Sequence, residues 1–178
     1  MRLVIQFADE ALDDFRWATF DETNYSAEIG WQQATADNLA GVATQNPHPV
    51  IIILPQQCIY LTEVELPEKA GRQVLSAIEY QIEDQLAQDI ESQHFALGDT
   101  SHNPIAVAVV ARDIMAHCIA LAQSHDLRLI QVLPELFLCP WQGTGVAFIE
   151  GYDGYLPVSY THLRAHETKT RISGGGVG

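Results

Sequence analysis

Two pairs of carboxylates carry the spacing in this sequence that most resembles chemistry: Asp9 with Asp13, and Glu79 with Glu83, each four residues apart. Such a pair can serve as acid and base or bind a hard cation. On an exposed helix or turn it is more simply a solvated face, and that is the reading adopted. His117 sits beside Cys118 in an apolar stretch, but one His and one Cys do not complete a zinc site, so packing is expected. His94 and His125 fall at expected element ends, where an imidazole can cap carbonyls. Trp17, Trp31 and Trp141 read as core or edge packing rather than a ligand cage. Cys58, Cys118 and Cys139 are odd in number, widely spaced and set among apolar neighbours, which suits small core residues and not a disulfide framework or a CxxC knuckle. The sequence contains no P-loop, no G-x-S-x-G and no HExxH. No residue is therefore assigned a catalytic, cofactor or metal role.

The end of the chain stands apart. Val158 to Thr168 reads VSYTHLRAHET, the in-frame translation of a transposase sequencing adapter, and the Gly-rich residues from Gly174 to Gly178 resemble signal-free poly-G. Residues 158–178 are accordingly expected to be a non-native, disordered tail, with the authentic sequence breaking off near Pro157. Their His162 and His166, at HxxxH spacing, carry no functional weight. The whole chain holds 9 basic and 23 acidic residues, a net charge of −14. The tail accounts for Arg164, Lys169, Arg171 and Glu167, so the remainder has 6 basic against 22 acidic residues, or −16. A surface so acidic repels phosphate backbones and anionic lipid, which disfavours nucleic acid and favours a basic protein partner. No basic n-region with an apolar h-region opens the chain, and no stretch reaches the ~18–20 apolar residues of a membrane span. The character is cytoplasmic.

The elements needed to position any site follow from periodicity. Leu3 to Phe7, Phe15 to Phe20 and Ala27 to Trp31 read as strands, Ala34 to Thr44 as a short helix, and Val50 to Leu54 as a strand buried on both faces. Ile59 to Leu66 alternates like a half-exposed strand, closed by Pro67. Leu75, Ile78, Ile82, Leu86 and Ile90 recur at spacings of three and four, which predicts one long helix with an acidic opposite face. His94 to Leu97 and the apolar run Ile105 to Ala111 read as strands. A helix follows from Arg112, then a strand from Leu127 to Leu133, a helical turn over Glu135 to Leu138 and a strand from Gly145 to Ile149. Alternation of strands and helices points to an α/β fold. Residues 1–54 are expected to form part of a first α/β subdomain, and residues 55–157 a second one with return strands.

Two segments carry a family resemblance. Residues 49–98, PVIIILPQQCIYLTEVELPEKAGRQVLSAIEYQIEDQLAQDIESQHFALG, place two strands each ending in Leu-Pro before a helix of mixed charge. Residues 106–140, AVAVVARDIMAHCIALAQSHDLRLIQVLPELFLCP, continue with strand, Ala-Arg, helix and strand. Both resemble the cytoplasmic domain of the type II secretion system protein L (GspL) family. The resemblance covers residues 49–157 well and residues 1–48 only by strand order. It implies an actin-like, ribonuclease-H-like fold in two subdomains, akin to the pilus protein PilM, with flanking helices on mixed sheets. It further implies an inner-membrane platform component whose cytoplasmic domain recruits the secretion ATPase, protein E, ties it to protein M, and forms a homodimer. A membrane span would lie in a missing C-terminal part.

Actin-like ATPases hold phosphate in Gly-rich hairpins. Here the turn after the first strand, Ala8 to Asp14, has no glycine and four carboxylates, and Glu150 to Tyr155 has glycines but no Ser or Thr. Asp153-Gly154 reads as a hairpin turn. A scaffold is therefore expected, not an enzyme; a PilM-like soluble scaffold and an actin-like ATPase or sugar kinase are the alternatives. The acidic residues of the long helix, Glu79, Glu83, Asp84, Asp89 and Glu91, are the expected contact with a basic partner.

Overall fold

The computed structural model describes residues 1–21, 30–65, 74–98, 103–138, 145–150 and 155–160. Its strands are β1 (Arg2–Phe7), β2 (Asp14–Phe20), β3 (Gln32–Thr35), β4 (Val50–Leu54), β5 (Ile59–Val64), β6 (Gln93–Leu97), β7 (Ile105–Ala111), β8 (Leu129–Pro134), β9 (Gly145–Glu150) and β10 (Tyr155–Tyr160). Its α-helices are α1 (Leu39–Gln45), α2 (Val74–Ile82) and α3 (Arg112–Ser124).

Alternation in β1 sets up the first sheet. Leu3, Ile5 and Phe7 join the main core, while Val4 goes to a separate apolar cluster with Ile51 and Ile53. Both faces of β1 and β4 are thus buried, as continuous apolar runs require. The sheet order is β3-β2-β1-β4-β8. β2 is antiparallel to β1 and β3, whereas β4 is parallel to both β1 and β8. The sheet is therefore mixed, as expected of an α/β fold. The return strand β8 lies in residues 55–157 yet hydrogen-bonds to β4, so the two stretches share one sheet.

The second sheet is antiparallel, ordered β5-β7-β6. Helix α2 lies over one face: Ile78 and Ile82 bury against Val64, Ile105, Val107 and Val109. From the other face Ile59 and Val110 enter the main core, where Cys118 of α3 also lies. β9 and β10 form a separate two-stranded hairpin, closed between Glu150 and Tyr155; the expected turn residues Asp153 and Gly154 lie outside the described residues. β10 takes in Val158 to Tyr160, the first three residues beyond the expected boundary at Pro157.

Four expectations need correction. The single long helix is not formed: α2 ends at Ile82, Glu83–Gln85 is a 3-10 turn, Leu86 is extended, and Ile90–Ser92 is a second 3-10 turn. The chain must reverse within about ten residues to deliver β6 antiparallel to β7. Its side-chain bonds serve that reversal: Tyr60 Oη donates to Gln85 Oε1 at 2.7 Å, and Gln93 Nε2 to Gln88 Oε1 at 2.9 Å. Tertiary pairing outweighs a periodicity that continues through the break. Of the expected strand Ala27 to Trp31, Ala27 to Ile29 lie outside the described residues, while Gly30 and Trp31 are not in a strand and precede β3, which spans Gln32–Thr35. The following helix starts late, because Thr35 still pairs with Asp14 and the Ala36 N–H bonds Asp13 O at 2.7 Å; a 3-10 turn intervenes before Leu39. Finally, β8 begins at Leu129 and not Leu127, since the Leu127 N–H still closes α3 on Ala122 O at 2.8 Å after Asp126 turns at φ 52.

Candidate functional site

The expected acidic residues are brought into one stretch but not onto one helix face. Glu79 lies on α2 and is half-buried. Glu83 and Asp84 occupy the 3-10 turn, Asp89 precedes the next turn, and Glu91 lies within it, all exposed. An exposed aromatic accompanies them: Tyr80 of α2 is 81% accessible. On the adjoining strand Tyr60 is 39% accessible and reaches Gln85 through its hydroxyl. Gln81 Nε2 donates to Glu65 O at 3.2 Å, fastening α2 beside the end of β5. Aromatic faces and carboxylates both attract Arg and Lys.

The other carboxylate pair has a local task. Asp9 Oδ1 accepts the Ala11 N–H at 2.9 Å and Asp9 O accepts the Leu12 N–H, forming the tight turn between β1 and β2. Leu12 sits at φ 57, a left-handed conformation rare for a branched side chain, with its side chain 1% exposed in the main core. Among the described residues no group of three His, Cys, Asp or Glu side chains is placed to hold a metal ion.

Sequence reading missed a buried polar cluster on the Val4 side of the first sheet. Gln6 of β1 donates from Nε2 to Glu135 Oε1 and accepts from Arg16 Nε of β2 at 2.8 Å. Gln6, Arg16 and Glu135 are all buried, and Arg16 stacks over Trp31 at 4.5 Å. The signal available was Gln6 and Arg16 at inward positions of otherwise apolar strands, facing each other in register.

Cys58 and Cys118 are buried in the main core, as expected, and Cys139 lies outside the described residues. Burial, then the charges of Glu10 and Asp9, push the Cys58 thiol up to about 11. Burial, then the neighbouring Cys58, push Cys118 up to about 12, against an opposing backbone hydrogen bond. The folded state therefore holds both thiols neutral while the unfolded chain ionises near 9. Their contribution to stability is complete below pH 9 and is lost as pH rises from 9 toward 11–12. Iodoacetamide at pH 8 should label Cys58 and Cys118 only once denaturant unfolds the chain; rapid labelling of either of these two in the native protein, located by peptide mapping, would contradict the burial. His94 shifts the other way, lowered first by burial and then by Arg112, whose Nε donates to Gln93 O at 2.8 Å. Its neutral form is favoured by folding, so that contribution fades as pH falls below the usual imidazole range.

The two-sheet arrangement is shared with solved proteins. The cytoplasmic domain of Epsl, an inner membrane component of the type II secretion system of Vibrio cholerae, superimposes with a TM-score of 0.74 at 25% identity, over 90% of this chain and 68% of that one. The PilM-PilN type IV pilus biogenesis complex shares the fold at a TM-score of 0.55 and 10% identity, over 76% of this chain and 48% of that one. The fold is thus one shared with the Epsl cytoplasmic domain and with the PilM-PilN complex. The profile described as Type II secretion system (T2SS), protein L matches residues 3–167, and the chain belongs to that family. Type II secretion system protein L of Klebsiella pneumoniae is 30% identical over 137 residues, 77% of this chain and 34% of the relative. That of Vibrio cholerae is 24% identical over 155 residues, 86% and 38% respectively. The chain spans little more than a third of the length of these relatives.

Proposed function

We propose that this chain is the cytoplasmic part of an inner-membrane platform component of the type II protein secretion system, and that it acts by recruiting and coupling the secretion ATPase, protein E. The observation that carries this reading is the match to the Epsl cytoplasmic domain over 90% of the chain. Among the described residues no helix is long and apolar enough to cross a membrane; attachment through a further span, contact with protein M and homodimerisation belong to the same reading.

The domain works as a scaffold and not as an enzyme. The turn after β1, where actin-like ATPases place a phosphate hairpin, carries four carboxylates and turns Leu12 into the core, with Asp9 bonded to its own backbone. Its electrostatics oppose a nucleotide phosphate. Glu79, Glu83, Asp84, Asp89 and Glu91 form the contact for a basic ATPase surface, and residues 158–178 take no part. Reversing Glu83 and Asp84 to Lys should weaken ATPase binding about tenfold at low ionic strength and flatten its salt dependence. Titration calorimetry showing unchanged low-salt affinity would remove these residues from the interface.

A further inference from the structure

The backbone of β5 points to a strand-addition site. Gly98 donates its N–H to Ala106 O at 2.7 Å, in register with the β6–β7 ladder. Even-numbered residues of β7 therefore direct their backbone groups to β6, and odd-numbered ones to β5. In the β5–β7 register, Val109 faces Tyr60 and Val107 faces Thr62. Tyr60, Thr62 and Val64 thus bond inward, while Ile59, Leu61 and Glu63 turn N–H and C=O away from the sheet. The outer carbonyls at the two ends are capped by side chains: Gln56 Nε2 on Ile59 O at 3.3 Å and Gln81 Nε2 on Glu65 O at 3.2 Å. Between those caps, among the described residues, no strand lies beyond Leu61 and Glu63.

We propose that this edge receives an extended, Lys- or Arg-bearing segment of the partner protein, which pairs with the outward N–H and C=O of Leu61 and Glu63. The proposal rests on the functional reading above and specifies how the partner docks. Main-chain pairing supplies affinity in strand addition and side chains supply specificity. Here the flanking side chains are Glu63, the exposed Glu65, Glu83 and Asp84, and the accessible Tyr60. A second copy of the chain would bring these carboxylates against their own kind in a protein of net charge −14, which disfavours self-pairing. β6 is the other edge of the sheet, but no residue from Gln93 to Leu97 is charged, so nothing there selects a partner.

The test uses the full chain with purified secretion ATPase as the probe. Glu63→Pro removes an outward donor without touching the β7 ladder, a position where an edge strand tolerates proline. It should weaken ATPase binding by about tenfold beyond the effect of Glu63→Gln. Nuclear magnetic resonance exchange on the unaltered chain supplies a measurement that does not depend on the variant's folding: the Leu61 and Glu63 amides should gain protection in the complex, while Tyr60 and Thr62, already bonded, change little. Full binding by Glu63→Pro, or no added protection at Leu61 and Glu63, overturns the edge assignment while leaving the functional reading intact. Loss of self-association in place of ATPase binding overturns the proposed occupant. No ATPase binding by the unaltered chain sinks the functional reading itself, and the occupant with it.

Discussion

Replacing Arg16 with methionine is expected to lower the unfolding free energy by ~3–5 kcal/mol, because it removes the cation of a buried network in which Gln6 links Arg16 to the Glu135 carboxylate. Gln6 holds the cluster by donating to Glu135 and accepting from Arg16, and it is wholly inaccessible. Three separated parts of the chain meet there: β1, β2 and the 3-10 turn that follows β8. The loss should reach well beyond one hydrogen bond, whose net worth is ~1 kcal/mol. Glu135→Leu in the Arg16→Met background should recover much of the stability, since an apolar replacement of a whole buried ionic group is often tolerated. Urea denaturation of the single and double variants measures both quantities. Equal loss in the two would mean that packing around Trp31, over which Arg16 lies, dominates the site and charge does not.

Leu12→Ala should cost ~2–5 kcal/mol through the cavity left in the main core, and Leu12→Gly should be no worse, against the usual order of the two residues. The reason is the φ of 57 at this position. Left-handed backbone costs an L-residue ~1–2 kcal/mol and glycine nothing comparable, which offsets the ~0.5–1 kcal/mol glycine loses in chain entropy. Thermal melts of the two variants decide the matter: alanine clearly above glycine would show that the turn relaxes when the leucine is removed. The leucine is kept despite its backbone because its side chain fills the main core beside Phe7 and Phe15, whose rings meet edge to face at 5.7 Å.

Strands whose apolar content comes from their own residues were legible without coordinates. Val50–Leu54 and Ile105–Ala111 begin and end where their apolar runs do, and Glu135–Leu138 forms the expected turn. Short-range patterning suffices there because burial on both faces leaves few alternatives. The same reading located the family, whose resemblance rested on these strands and α3 and also on Ile59 to Leu66 and the expected long acidic helix. The late start of β8 is local, set by the Leu127 N–H closing α3 on Ala122 O, but the other failures lie where a distant strand set the boundary. Leu86 and Ile90 keep helical spacing with Ile82, yet the chain breaks after Ile82 because Gln93 has to align with Ala111. Gln32–Thr35 became a strand because Asp14 to Trp17 offered it an edge.

The candidate site divides in the same way. Composition alone determined that the chain is acidic, and hence what sign of surface it attracts; charge is a sum over residues and needs no fold. Sequence spacing also determined which carboxylates lie close along the chain. Tertiary structure alone decided that Glu79 lies on α2 while the others lie on or beside two successive 3-10 turns, that Leu61 and Glu63 turn their backbone groups outward at the β5 edge, and that Gln6, Arg16 and Glu135 meet in the interior. Hydrogen-bond direction in a sheet and the meeting of residues 129 positions apart are properties of register. Register is set by what each strand pairs with, and no local stretch of sequence contains its partner.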